Sequence, residues 1–174
     1  MHYGQIITTD TANGTGVRLS LFVSGCTNHC EGCFQPQTWD FCYGKPYTQE
    51  TEDHIIQELS KPYYDGITIL GGEPMELENQ PVIYDLLTKI KEKYPDKNIW
   101  LYTGFILDKD LVKNGRRYIP EITPKLISKI DVLVDGPFDI TKKNLMLHFR
   151  GSENQRVIDM RKTLKEERII LKDV

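Results

Sequence analysis

Cysteine is scarce in this chain, with four in 174 residues, which is too few for the disulfide framework of a small secreted domain. No apolar run approaches the roughly 18–20 residues that a membrane-crossing helix needs, and the mean hydropathy is −0.43. An excess of charge is missing as well. Lys and Arg number 22 against 25 Asp and Glu, a net charge of −3, which disfavours broad, phosphate-driven binding to nucleic acid. The N-terminal stretch Met1-His2-Tyr3-Gly4-Gln5-Ile6-Ile7 has no basic segment leading into an apolar one, so no signal peptide is expected and the protein reads as cytoplasmic. Internal repeats, low-complexity segments and Gly/Ser/Pro linkers are absent too. The expectation is one domain over residues 1–174, with 39% hydrophobic residues to supply its core.

What is present is an alternation of strands and helices. Arg18–Val23 is apolar and closed by Ser24-Gly25, and Gly66–Leu70 is a buried-type run stopped by Gly71-Gly72. Asn98–Tyr102 precedes Thr103-Gly104, and Val132–Val134 precedes Asp135-Gly136-Pro137. Between them, Thr48 is placed to cap a helix that Pro62 ends. Val82, Leu86 and Ile90 recur at helical spacing within about Gln80–Tyr94, and Thr123-Pro124 resembles a cap followed by proline at the first helical position. This alternation predicts an α/β fold of parallel strands with right-handed crossovers. The length suits a partial, open parallel β/α barrel of about four to six strands, with a flat doubly wound sheet as the alternative. The mixed-sign tail over about 156–174, outside the patterned region, reads as a variable solvated helix, a frayed end or a docking surface.

In a parallel sheet, loops that follow strands emerge at one edge, where α/β proteins build their sites. Four such loops converge here, and three of the four cysteines lie in the first, as Cys26-x3-Cys30-x2-Cys33. Thiolates are soft ligands for zinc or iron–sulfur clusters. Three of them can hold three irons of a [4Fe–4S] cube and leave the fourth open. Structural zinc, completed by Cys42 or His29, is the alternative, in which the chain is a zinc-binding interaction module. Cys42 otherwise reads as a free thiol. Trp39, Trp100 and Phe138 read as core or rim. Asp135, at a strand end, suits either a hydrogen bond to a ligand or a turn-forming Asp-Gly.

The cysteine loop after the first strand, with Gly71-Gly72-Glu73-Pro74 after the second, resembles the radical S-adenosylmethionine (SAM) superfamily. The similarity narrows to the activating proteins of anaerobic, class III ribonucleoside-triphosphate reductases. It is carried by Asn13–Arg18, Leu21–Cys26, Cys33-Phe34 through Trp39, Ile99–Gly104, Val132–Gly136 and Arg150–Gln155, which is most of the chain.

That resemblance implies a radical SAM type of open barrel and two cofactors, a [4Fe–4S] cluster and SAM. Cys26, Cys30 and Cys33 would be the cluster ligands. Gly71, Gly72, Glu73 and Pro74 would hold the methionine end of SAM, and the backbone at Gly32, Cys33 and Phe34 would meet adenine. Thr103, Asp135, Arg150 and Asn154 would complete the pocket. The implied activity is reductive cleavage of SAM to a 5′-deoxyadenosyl radical that takes a hydrogen atom from a glycine of the reductase. The implied partners are that glycyl-radical subunit and reduced flavodoxin or a similar electron donor, in a homodimer or heterotetramer. Activation of another glycyl-radical enzyme, of the pyruvate formate-lyase type, is the alternative. One departure stands out: many radical SAM enzymes place an aromatic residue just before the third cysteine, where this chain has Gly32.

Overall fold

The computed structural model describes residues 1–174. In chain order the elements are β1 (His2–Asp10), β2 (Arg18–Val23), β3 (Lys45–Pro46), α1 (Gln49–Glu58), β4 (Gly66–Gly71) and α2 (Gln80–Lys93). They continue with β5 (Asn98–Tyr102), α3 (Leu107–Asp110), α4 (Thr123–Ile127), β6 (Val132–Asp135), β7 (Arg156–Asp159) and α5 (Met160–Glu166). The strands form one open sheet in the order β3-β1-β2-β4-β5-β6-β7. The four strands read from sequence, β2, β4, β5 and β6, are its parallel centre.

The expected count and direction need correcting. There are seven strands rather than four to six, and β1, β3 and β7 run antiparallel to their neighbours. The tail contributes more than a solvated end. β7 pairs with β6, and Val157, Ile158 and Met160 are buried. Thr48 caps α1 with a reciprocal capping box involving Thr51, but α1 ends at Glu58, four residues before Pro62. Thr123 is the first residue of α4 rather than its cap. Its hydroxyl accepts from the Ile119 N–H and donates to Gln80.

Strand alternation divides the sheet into two faces. Leu19, Leu21, Val23, Ile67, Ile69, Ile99, Leu101, Leu133 and Ile158 belong to the main core together with Ile83, Leu86, Leu87 and Ile90 of α2. The inner face differs in chemistry. Register aligns Ser20, Thr68, Trp100 and Val132 in one layer, and Phe22 with Leu70 and Tyr102 with Val134 in the next.

Beneath these layers Arg18 is fully buried. It donates to the Thr68 hydroxyl at 2.6 Å, to the Asn98 side chain at 2.8 Å and to the Ile67 carbonyl at 2.7 Å, and it lies 5.5 Å from the Trp100 ring centroid. Burial pulls the guanidinium down to about 10. Its five donors keep it soluble in this interior. Gly14 gives it room: a Cβ there would stand 2.8 Å from the Arg18 stem and 2.9 Å from Trp100. The glycine-rich stretch before β2 therefore closes the base of the concave face.

Candidate functional site

The C-terminal ends of the parallel strands enclose a cavity of about 240 Å³. Cys26, Cys30 and Cys33 all line it, on a loop that wraps through positive φ at His29 (46°) and Gly32 (71°). The loop closes on its own beginning. The turn at Pro36–Trp39 accepts the Gly25 N–H on Thr38 at 2.8 Å and the Cys26 N–H on Trp39 at 3.3 Å. All four cysteines are free thiols. Burial pushes the Cys26 thiol up to about 11 and raises Cys30. Bound metal reverses that preference, because a coordinating thiol is deprotonated.

Gly71 and Gly72 also line the cavity, and their lack of side chains has a structural cause. A Cβ on Gly71, whose φ is +109°, would sit 2.7 Å from the Val23 nitrogen. One on Gly72 would sit 2.8 Å from the Gly25 carbonyl. The backbones of the two loops are therefore in direct contact, with Gly72 N–H on Val23 and Glu73 N–H on Gly25, both at 2.8 Å.

Glu73 is 1% exposed. One carboxylate oxygen accepts from the Thr103 hydroxyl at 2.7 Å and the Met75 N–H at 2.9 Å. The other accepts from the Gly104 N–H at 2.7 Å and the Asn28 amide at 3.1 Å. Four donors use the full acceptor capacity of a carboxylate. Glu73 thereby ties the cysteine loop, its own turn and the turn after β5 together. Burial nevertheless pushes it up to about 7, since the hydrogen bonds offset only part of the desolvation.

Of the other residues expected here, Phe34, Thr103 and Arg150 line the cavity, whereas Gly32, Pro74, Asp135 and Asn154 do not. Asp135 is fully buried and accepts from the Arg156 guanidinium at 2.8 and 2.5 Å and from the Leu107 N–H at 2.8 Å. Its carboxylate holds β6 to β7. Asn154 donates to the Pro137 carbonyl, and Arg150 to that of Gln155. Gly32 explains its own departure from the common pattern, because a Cβ there would stand 2.5 Å from the Ile140 side chain. The space an aromatic residue would fill belongs to the segment after β6.

Several cavity residues escaped the sequence reading as ligand contacts: Asn28, Leu70 and Tyr102, with Trp39 and Phe138 taken for core or rim. The Tyr102 hydroxyl and the Trp39 indole N–H are buried without a hydrogen-bond partner. His29 stacks on Trp39 with ring centroids 4.3 Å apart. Neither His29 nor Cys42 lines the cavity, and no group of three His, Cys, Asp and Glu side chains is arranged to hold a single metal ion. No helix is long and apolar enough to cross a membrane.

Comparison with known proteins gives this geometry a family. A family model described as a 4Fe-4S single cluster domain matches residues 12–158. An anaerobic ribonucleoside-triphosphate reductase-activating protein of Pasteurella multocida is 38% identical over 157 residues, covering 89% of this chain and 95% of that protein. The protein of the same name from Escherichia coli K12 is 37% identical over 163 residues, or 92% of this chain and all of the relative. That of Enterobacteria phage T4 is 35% identical over 90% of this chain and 93% of its own. Matched over about nine-tenths of its length at this level, and with its three clustered thiols in one cavity, the chain belongs to the family of anaerobic ribonucleoside-triphosphate reductase-activating proteins with a 4Fe-4S single cluster domain.

Proposed function

We propose that this chain is a cytoplasmic activase that places a glycyl radical on an anaerobic ribonucleoside-triphosphate reductase, using a [4Fe–4S] cluster and SAM. The observation that carries the reading is the convergence of three free thiols with the Gly71–Glu73 turn on one cavity. The donor set is all sulfur, which suits an iron–sulfur cluster. With both groups bound, the chemistry supplied is reductive cleavage of SAM to methionine and a 5′-deoxyadenosyl radical, which removes a hydrogen atom from a backbone glycine of the reductase.

The residues of the chain divide the work. Cys26, Cys30 and Cys33 would hold the cluster through three thiolates, one fewer than the irons of a cube, so that one iron would stay open to a further ligand. Glu73 and the Gly71-Gly72 backbone border the methionine end. The Asn28 amide has the longest of the four bonds to Glu73 and lines the cavity, so it is the donor that the amino group of bound SAM would replace most readily. Phe34, Phe138 and Arg150 also line the cavity. A low-potential donor such as reduced flavodoxin supplies the electron, and the reductase associates in a dimer or heterotetramer.

Anaerobic reconstitution tests this reading by iron and sulfide analysis, EPR with and without SAM, and detection of 5′-deoxyadenosine. A reduced cluster whose signal changes with SAM, and a glycyl radical appearing on added reductase, are expected. One zinc per chain and indifference to SAM would overturn it.

A further inference from the structure

The segment after β6 ends in a tip that the fold holds in water. Leu145 and Met146 are each 85% exposed, yet they do not sit on a loose end. The Lys143–Ser152 bridge closes the base of the tip, and Glu153 N–H donates to the Lys142 carbonyl at 3.0 Å. Asn144 shapes the turn: it accepts the Met146 N–H at 2.9 Å and donates to Glu153 at 3.0 Å. Both flanks are anchored, with Phe138 at 5.3 Å from Phe34 and Phe149 edge-on to Trp100 at 5.2 Å. A chain that spends its backbone hydrogen bonds on presenting two large apolar side chains to solvent has a preorganised contact there.

The tip is continuous with the cavity. Phe34 and Phe138 line the cavity, Phe34 is 67% exposed, and Lys143 lies 5.2 Å over its ring. Residues 139–153 also carry Lys142, Lys143 and Arg150 against Asp139, which pairs with Lys142 at 3.5 Å, and Glu153, a small positive excess in a chain whose net charge is −3. This is a cationic rim with an apolar summit beside the opening.

We infer that the tip at Leu145 and Met146, with Lys142 and Lys143, is the docking surface for the glycine-bearing segment of the reductase, which brings apolar side chains onto the summit and carboxylates to the lysines. The inference rests on the proposed function: a radical formed in this cavity reaches a backbone glycine of another protein only if that backbone is held at the opening. Oppositely charged partners steer the encounter, and the apolar pair sets residence.

The test uses cluster-loaded full-length protein with L145A/M146A, L145D/M146D and K142A/K143A variants. SAM cleavage by dithionite-reduced protein is measured first, without reductase. It is expected to stay within about twofold of wild type in every variant, since none of these residues lines the cavity. The reductase concentration giving half-maximal glycyl radical by EPR is then expected to rise about tenfold or more for the apolar variants, as for a binding hot spot. K142A/K143A is expected to weaken binding mainly at low salt and to flatten its salt dependence. Unchanged half-maximal concentrations, with SAM cleavage intact, overturn the docking surface and leave the proposed function standing. Wild-type protein that cleaves no SAM overturns both. An apolar variant that alters only self-association of the activase overturns the inference in favour of a contact between copies.

Discussion

Glu76 accepts hydrogen bonds from both the backbone N–H and the hydroxyl of Thr27, at 2.7 and 2.6 Å, so the residue after Cys26 is fastened to the turn after Gly71-Gly72-Glu73-Pro74. Arg117 completes the clamp. It approaches the other Glu76 oxygen at 3.3 Å, donates to the Thr27 hydroxyl at 2.7 Å and lies over the Phe105 ring. The cysteine loop is thus fixed before any cluster is present.

Removing the clamp separates stability from metal retention. Glu76→Ala leaves the Thr27 N–H and hydroxyl without their acceptor and the Arg117 guanidinium without its ion-pair partner, a loss of about 1.5–3 kcal/mol for bonds to a charged group. In a domain of this size that corresponds to a fall in Tm of about 3–12 °C. Calorimetry of the unloaded protein measures it, and slower iron uptake is expected alongside.

The cysteines should divide cleanly. Cys26→Ser, Cys30→Ser and Cys33→Ser are each expected to cut iron and sulfide per chain to a small fraction of wild type and to abolish SAM cleavage. Cys42→Ser is expected to match wild type, since Cys42 is exposed and lies outside the cavity. Iron analysis after anaerobic reconstitution distinguishes the two classes.

Glu73 sets a pH dependence with a definite sign. Its carboxyl is raised from 4.5 to about 7 by burial, so between those values the folded chain holds a proton that the unfolded chain has released. Stability of the unloaded protein therefore falls as pH rises through this window and levels off above about 7, with a span of roughly 3 kcal/mol from this group. Urea unfolding from pH 5 to 8 shows it as the difference between wild type and Glu73→Gln, which lacks the proton. An equal slope in both proteins sinks the assignment.

Gly14 tests the base of the sheet. Its φ is +130°, and an added Cβ would meet Arg18 and Trp100. Gly14→Ala combines backbone strain of about 1–3 kcal/mol with overpacking of about 1–3 kcal/mol. A destabilisation of about 2–6 kcal/mol in urea unfolding is expected, against only the strain part of about 1–3 kcal/mol for Gly136→Ala, whose φ is +102° but whose added Cβ would meet its nearest neighbours at an ordinary 3.6 Å.

The central strands were legible because each is an apolar run ended by glycine or Asp-Gly, and that punctuation also marked the edge where the site lies. The outer strands were not. β1 is mostly half-buried, β3 is two residues long and includes Pro46, and β7 has two buried side chains. Arg18 read only as a strand start. Its burial depends on Thr68 and Asn98, 50 and 80 residues away, a distance over which periodicity is silent. Asp135 read ambiguously between ligand and turn because its partner Arg156 lay in the tail, where no pattern was seen. Among the site residues, the thiols and glycines announced themselves by spacing. Trp39 and Phe138 did not, since an aromatic side chain facing a cavity looks the same in sequence as one facing a core.

Arg18, fully buried against Thr68 and Trp100, fills the base of the sheet's concave face, so the chamber is entered from the end where the strands finish. On the proposed function this makes traffic sequential. SAM must enter before the reductase segment docks, and methionine and 5′-deoxyadenosine can leave only after that segment withdraws. A partner that lingers at the opening then acts as its own brake, and turnover is paced by the departure of the protein that has just been activated.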